Sequence, residues 1–105
     1  MVRGEIVRVR LDRDSRGSEQ RGARFGVIVQ ADELLGLSTV LVSPTSRSAA
    51  PWTFRPVIKL NGTSTRVLVE QTRATSIERL GPTVGRLSSA ELRDVDDALA
   101  LVLGL

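Results

Sequence analysis

Apolar and polar residues alternate at the start of the chain and then give way to short apolar runs, a pattern typical of β-strands. In residues 5–11 the apolar side chains alternate approximately with Arg8 and Arg10, which predicts a half-buried first strand. Four further runs bounded by polar residues predict strands at 27–29, 40–42, 54–60 and 66–70. The last two are separated by Asn61-Gly62, a dipeptide that favours a tight hairpin turn.

The hydrophobic period changes near the C-terminus and predicts a helix. Ser88 and Glu91 have the spacing of a capping box, in which each side chain caps the backbone of the other residue. Apolar residues then recur at steps of three and four on one helix face: Leu92, Val95, Leu99 and Val102. We expect this stripe to pack on the sheet and the helix to end at Gly104. Strands followed by one helix predict an α+β domain, and a small closed barrel would remove the exposed sheet edges.

Length and composition narrow the classes of protein. A chain of 105 residues supports one hydrophobic core, so we expect residues 1–105 to form a single domain. There is neither Cys nor His, which excludes disulfides, thiolate metal sites, an imidazole base, and Ser-His-Asp or Cys-His catalysis. No apolar run has the length of a membrane-spanning helix, and we therefore expect a soluble, cytoplasmic protein.

Positive charge is carried almost entirely by arginine. The formal net charge is +3, Lys59 is the only lysine, and seven arginines fall between Arg3 and Arg24. Guanidinium groups make bidentate contacts with phosphate, so an arginine-rich face favours an anionic partner such as nucleic acid. A genomic bias towards arginine would produce the same composition, and charge alone does not decide between the two interpretations.

The chain contains three aromatic residues, Phe25, Trp52 and Phe54. A repeated base-stacking surface on a sheet needs more aromatic faces than these. We expect Trp52 and Phe54 to cover the core, with RNA stacking as the alternative.

A polar, glycine-punctuated loop at residues 12–23 leads into the apolar run after Arg24. Its sequence includes Ser18, Glu19, Gln20 and Arg21, and it brings both signs of charge into a short span, as the binding of an anionic substrate needs. We interpret this long, aperiodic segment as a binding loop. Three further motifs accompany it along the chain: Arg3-Gly4-Glu5-Ile6, Ser43-Pro44-Thr45-Ser46 and Glu70-Gln71.

The order of these four motifs resembles the MazF/PemK/Kid family of toxin endoribonucleases over nearly the whole chain. The resemblance implies an SH3-like antiparallel β-barrel with a C-terminal α-helix, assembled as a homodimer. It implies a toxin of a type II toxin-antitoxin system that cuts single-stranded mRNA at short sequences. The cleavage would need no metal and no cofactor, and would leave a 2′,3′-cyclic phosphate and a 5′-hydroxyl. The implied partner is a small acidic antitoxin that wraps the toxin.

The resemblance also assigns roles to residues of this chain. Arg24 and Thr45 correspond to the central catalytic pair, and Glu70 to a carboxylate that some members use in catalysis. The implied RNA-binding residues are Ser18, Glu19, Gln20, Arg21, Ser46 and Gln71. A chain without histidine needs another base for the 2′-hydroxyl proton, and both Glu70 and Glu19 are candidates.

The chain departs from the family pattern at two positions near the site. Phe25-Gly26 follows Arg24 where the family usually has a proline, and Leu68 stands where the Kid branch has a second catalytic arginine. These departures keep two alternatives open. One is a non-catalytic toxin resembling CcdB, which grips DNA gyrase through the same type of barrel. The other is a degenerate toxin that only titrates an antitoxin.

Overall fold

The computed structural model describes residues 1–10 and 24–105. These residues form seven strands and one α-helix: β1 (Glu5–Val9), β2 (Arg24–Ile28), β3 (Thr39–Ser46), β4 (Val57–Leu60), β5 (Thr63–Val67), β6 (Arg73–Ser76), β7 (Leu80–Arg86) and α1 (Ser89–Leu103). Short 3₁₀ turns lie at Asp32–Leu34, Val69–Gln71 and Ile77–Arg79. In this described part, no helix is long and apolar enough to cross a membrane.

The strands form one antiparallel sheet that curls around the core. Its order is β4-β5-β3-β2-β1-β7, and β6 pairs with β3 outside this path. The first half of β3 pairs with β6, whereas its last two residues, Thr45 and Ser46, pair with β5. Sharing one strand between two partners bends the sheet into a half-barrel, and α1 follows the last strand. The predicted α+β fold, an SH3-like antiparallel barrel with a C-terminal helix, is confirmed in this form.

Several predicted strand boundaries shift in the structure. The run 54–60 becomes a strand only from Val57, because Arg55 N donates to Trp52 O and closes a turn before it. The run 66–70 divides into the end of β5 and the 3₁₀ turn Val69–Gln71, so Glu70 lies in a turn and not on a strand. The predicted hairpin is confirmed, with Asn61 and Gly62 both at positive φ between β4 and β5.

Two strands, β6 and β7, were not predicted. The short sequence of β6 is mostly polar, and that of β7 contains Gly81-Pro82, which normally argues against a strand. Both are strands because of long-range pairing, β6 with β3 and β7 with β1. Among the described strands β7 stands at one end of the sheet order, where proline is tolerated because one strand edge makes no ladder.

The helix closes one side of the core through its first three turns. Val95 is fully buried and Ala98 nearly so, and Leu92 and Leu99 pack against the same cluster, which includes Ile6, Val27, Ile58 and Val67 from the sheet. Val102 was predicted on this stripe, but its side chain is 39% exposed, because the last helical turn extends past the sheet residues of the core. The predicted stripe is therefore correct for its first three members only.

The predicted capping box is present at the start of α1. Ser88 Oγ accepts from Glu91 N at 3.1 Å, and Ser88 N donates to Glu91 Oε1 at 2.8 Å. The other carboxylate oxygen of Glu91 accepts from Lys59 N at 2.8 Å, which ties the helix start to β4. Gly104 ends the helix in the left-handed conformation at φ 73°, as predicted.

Gly26 sets how closely β2 approaches β3 beside the candidate site. A Cβ at this position would lie 2.4 Å from Val42 Cγ1, a buried side chain without a flexible end, and 3.3 Å from the Ser43 carbonyl oxygen. We expect Gly26→Ala to lower the free energy of unfolding by about 1–3 kcal/mol through overpacking, as measured by urea denaturation. Gly36→Ala is the control: nothing lies within 4 Å of its added Cβ, and its effect should stay within about 0.5 kcal/mol. Equal effects of the two variants would contradict this prediction.

Candidate functional site

Arg24 and Thr45 come together where β2 begins and β3 ends. Gly26 pairs with Pro44 in the register, so the next residues outward, Phe25 and Thr45, are also neighbours across the two strands. Thr45 is 6% exposed, and its Oγ1 donates to the Phe25 carbonyl oxygen at 2.9 Å. The strand pairing thus places the two residues of the predicted catalytic pair on adjacent strands at one end of the sheet.

Both residues line an open cavity of about 620 Å³ between the β2 and β3 ends and the β4–β5 hairpin. The other lining residues are mostly hydroxylic or polar, with one further arginine: Phe25, Ser46, Arg47, Ser48, Leu60, Asn61, Thr63 and Thr65. We call this feature the arginine–hydroxyl cavity. It combines two guanidinium groups with five hydroxyl side chains, the donor set that binds phosphate oxygens.

The charge around this cavity is positive. Its described lining contains Arg24 and Arg47 but no carboxylate, and neither arginine has a hydrogen-bond or ion-pair partner within residues 1–10 and 24–105. The whole segment 34–69 has four cationic residues and no Asp or Glu. A cavity of this kind attracts an anion and offers it two guanidinium groups that no other described group engages.

Arg47 is a lining residue that was not predicted from the sequence. It lies two positions after Thr45, and the alternation of an extended chain offers the signal that would have found it. Leu68, which stands where the Kid branch has its second arginine, is buried at 7% exposure. The second positive charge of the cavity thus comes from Arg47, just after the end of β3, and not from residue 68.

Thr45 can change its hydrogen-bond partner. In the structure its hydroxyl proton points to the Phe25 carbonyl oxygen, which leaves the oxygen lone pairs available as acceptors. A rotation about the Cβ–Oγ bond would turn the proton towards an anion in the cavity. The hydroxyl thus has a hydrogen-bond acceptor in the structure and could donate to a bound anion instead.

Glu70 and Gln71 lie in the 3₁₀ turn after β5, outside the residues that line the cavity. Glu70 Oε2 accepts from Arg55 Nε at 2.9 Å and from Arg55 Nη2 at 2.5 Å, and Gln71 Nε2 lies 3.5 Å from the same oxygen. Arg55 is only 8% exposed, and its guanidinium lies 3.8 Å from the Trp52 ring centroid. Glu70 thus does not line the cavity with Arg24 and Thr45 and is instead paired with a buried cation.

This ion pair affects the acidity of Glu70. Burial opposes its ionisation, but the hydrogen bond from Arg55, a backbone hydrogen bond and the charge of Arg55 together outweigh burial and hold the pKa of Glu70 below its ordinary value of 4.5. A carboxylate with a lowered pKa and an engaged oxygen is a weak proton acceptor. The geometry therefore favours a structural role for Glu70 over that of a free base.

The other predicted RNA-binding residues divide into two groups. Ser46 lines the cavity, and its Oγ accepts from Ser48 N at 3.3 Å. Ser18, Glu19, Gln20 and Arg21 lie outside the described residues, so their roles stay predictions. Across residues 1–10 and 24–105, no group of three or more carboxylate side chains is arranged to hold a metal ion.

Comparisons with known proteins identify the family. The family model described as PemK-like, MazF-like toxin of type II toxin-antitoxin system matches residues 2–103. The chain belongs to this toxin family. Two proteins of Mycobacterium tuberculosis are similar to this chain over its whole length. The toxin candidate Rv3098A is 40% identical over 106 residues, and the match spans 99% of that protein. Endoribonuclease MazF9 is 38% identical over 116 residues, and the match spans 98% of that protein.

Solved structures show the same fold at lower identity. A mycobacterial endoribonuclease in complex with its cognate antitoxin superposes with a TM-score of 0.82 at 17% identity, over 100% of this chain and 96% of that one. A MazE–MazF structure from Deinococcus radiodurans gives 0.83 at 20% identity, again over 100% and 96%. The family predicted from the sequence motifs is confirmed, and these relatives do not favour the CcdB-like alternative.

The lowered pKa of Glu70 predicts a pH-dependent contribution to stability. A carboxylate with a depressed pKa stabilises the fold above its unfolded value, here about 4.5, and this stabilisation is lost as the pH falls through the lower folded value. We expect Glu70→Gln to lower the free energy of unfolding by about 1–3 kcal/mol at pH 6.5, because the buried Arg55 loses its charged partner. The partial exposure of Glu70 keeps the loss in this moderate range, because solvent screens the ion pair. The difference from wild type should shrink on acidification to pH 3.

Urea denaturation of both proteins across this pH range measures the difference. Glu33→Gln is the matched control, since the Glu33 side chain is exposed and has no ion-pair partner within residues 1–10 and 24–105. Its difference from wild type should be small at every pH. A Glu70→Gln deficit that stays constant down to pH 3 would contradict the ionic origin of the effect.

Proposed function

We propose that this toxin is a sequence-specific endoribonuclease that cuts single-stranded mRNA. One observation carries the proposal: Arg24 and Thr45 line one cationic cavity together with Arg47 and hydroxyl groups that suit a phosphate. The name of the relative Endoribonuclease MazF9, which matches this chain along its whole length, supports the same activity. An RNA substrate would place the protein in the cytoplasm.

The proposed reaction is transesterification within the RNA backbone. The 2′-oxygen attacks the adjacent phosphorus while its proton passes to a base, and the P–O5′ bond breaks. The products are a 2′,3′-cyclic phosphate and a 5′-hydroxyl, whose oxygen takes a proton from water. Because negative charge accumulates on the phosphorane oxygens, fixed donors beside them lower the barrier.

Each charged or hydroxylic residue has a separate task in this mechanism. Arg24 places two guanidinium donors on the non-bridging oxygens, and Arg47 adds a second positive charge from the β3 side. Thr45 rotates its hydroxyl from the Phe25 carbonyl to the phosphate as charge develops. Guanidinium and hydroxyl groups are poor ligands for divalent cations, which supports cleavage without a metal.

We assign the proton-accepting role to Glu19 rather than to Glu70. Both were candidates from the sequence. Glu70 is engaged by Arg55, and the pKa of Glu70 is lowered, which weakens it as a base. Glu19 belongs to the segment that directly precedes Arg24 along the chain.

The proposed assembly is a homodimer inhibited by an acidic antitoxin. The mycobacterial and Deinococcus structures with the same fold were solved with their antitoxins. An acidic partner would find a surface suited to its charge in the segment 34–69, which has no carboxylates. Exposed leucines at the end of α1, including Leu101 and Leu103, supply apolar area that a second copy could cover.

The catalytic assignment is tested by incubating purified protein with a long single-stranded RNA in EDTA. We expect discrete cuts with cyclic-phosphate ends, which a 2′-deoxy sugar at the cut site prevents. Arg24→Ala should reduce kcat/KM by about 100-fold or more, and Thr45→Val by about tenfold or more, with Thr45→Ser recovering much of the loss. Arg73→Ala, which removes a guanidinium from β6 outside the cavity, should cleave like wild type.

Retained activity in Arg24→Ala would refute the assignment. Intact RNA with folded wild-type protein would refute the enzyme itself. Inhibition of gyrase supercoiling by the same preparation would then revive the CcdB-like alternative.

The choice of base is tested by comparing Glu19→Gln with Glu70→Gln in the same cleavage assay. We expect Glu19→Gln to lower kcat by about 100-fold or more and to remove the rise in rate with pH that a titrating carboxylate causes. Glu70→Gln should keep that rise, since its carboxylate takes no proton from the substrate. The reverse pattern would transfer the role to Glu70.

A further inference from the structure

We propose that Trp52 is a stacking site for an unpaired nucleobase of the RNA whose phosphate occupies the arginine–hydroxyl cavity. This inference rests on the proposed function and extends it to substrate recognition. It revises the expectation that Trp52 covers the core, because the structure leaves this side chain 49% exposed. We call Trp52, together with the side chains of Arg55 and Glu70 that hold it, the Trp52 platform.

The exposed indole borders an open depression. Pro51, Thr53 and Phe54 complete its lining, and its volume is about 550 Å³. The Phe54 ring lies 5.4 Å from the Trp52 ring, between centroids, at an interplanar angle of 43°. A large aromatic surface that a protein leaves uncovered next to such a depression is suited to a flat ligand.

The second observation is that Arg55 packs against one face of the indole. The Arg55 guanidinium lies 3.8 Å from the ring centroid, and Glu70 fixes that guanidinium through its Nε and Nη2 atoms. The backbone of Arg55 is fixed too, because its carbonyl oxygen accepts from Arg66 Nη1 at 2.8 Å. One ring face is therefore occupied by a buried cation, and a ligand would stack on a side chain that is already ordered.

The loop that carries the Trp52 platform starts at the cavity. Arg47 and Ser48 of the cavity begin the loop that carries Trp52. Arg66, which holds the Arg55 carbonyl, pairs in the register with Ser46 of the cavity. A single strand of RNA that places one phosphate at Arg24 and Arg47 would thus have a neighbouring base in reach of this loop.

Charge favours a nucleobase over an apolar peptide side chain as the occupant. Arg47 begins the loop and Arg66 donates to its Arg55 carbonyl oxygen, whereas the charge of Arg55 itself is balanced by Glu70. A base arrives attached to phosphates that these cations attract, and stacking on an aromatic ring accepts any base because each has a flat π-face. The structure thus assigns Trp52 to base stacking and the adjacent cavity to the backbone.

The test uses Trp52 itself, since it is the only tryptophan in the chain. The probe is a seven-nucleotide RNA around a cut site mapped with the wild-type protein, with 2′-O-methyl sugars so that it cannot be cleaved. We expect the probe to quench the intrinsic fluorescence. Replacing one base with an abasic residue at a single position should abolish the quenching and weaken binding about tenfold, the scale of one base–aromatic stack.

Variants complete a double-mutant cycle on the affinity, read by anisotropy of a labelled probe. Trp52→Ala should bind the intact probe about tenfold more weakly and should not distinguish it from the abasic probe. Trp52→Phe should recover most of the binding, which a general loss of folding would not allow. Leu34→Ala, an exposed apolar residue outside both depressions, is the matched control and should bind both probes like wild type.

The outcomes separate this inference from the proposed function. If wild type cleaves RNA, while no abasic position changes its fluorescence and Trp52→Ala binds like wild type, base stacking is refuted and the nuclease stands. If wild type neither binds nor cleaves RNA, the proposed function fails. If an acidic peptide quenches Trp52 where RNA does not, the site belongs to a protein partner and the inference is overturned.

Discussion

The architecture depends on β3, a strand that pairs on both edges and changes partner along one of them. β2 occupies one edge, while β6 and then β5 occupy the other. At the change of partner, Ser43 is fully buried and its Oγ hydrogen-bonds Thr72 Oγ1 at 2.6 Å, and the Pro44 carbonyl oxygen accepts from Leu68 N at 2.8 Å. These two contacts satisfy polar groups that the sheet ladder leaves open. They also bring the turn with Glu70 next to the strand that carries Thr45.

Local signals in the sequence predicted the parts of the fold that depend on neighbouring residues. The hairpin at Asn61-Gly62 and the cap at Ser88 each need only a few consecutive residues, because a positive φ and a capping hydroxyl act locally. The strand at Leu80–Arg86 was missed, since pairing with β1 overrides the glycine and proline in its sequence. Propensity alone does not contain that long-range contribution.

The site shows the same division between local and long-range information. Arg24 and Thr45 came from motif resemblance, and RNA stacking at Trp52 was an alternative from the sequence, whereas the Arg55–Glu70 pair emerged only when distant segments were placed together. Glu70 is the clearest case. Its position before Gln71 indicated catalysis, but Arg55, 15 residues earlier, sets its protonation and orientation. A short stretch of sequence does not predict this ion pair, because the pairing of β3, β4 and β5 brings the turn and the loop together.

A chain without histidine must separate tasks that imidazole usually combines. Guanidinium groups can neutralise developing charge but are poor bases, and a carboxylate accepts a proton near neutrality only if no cation holds it ionised. Glu70 sits against such a cation, so the pair orders the turn and the Trp52 loop at the expense of basicity. The cavity at Arg24 keeps its cations unpaired among the described residues, which leaves their charge available to an incoming phosphate. The two arginine environments therefore differ in function. Glu70 neutralises Arg55 within the fold, whereas a bound phosphate would neutralise Arg24 and Arg47.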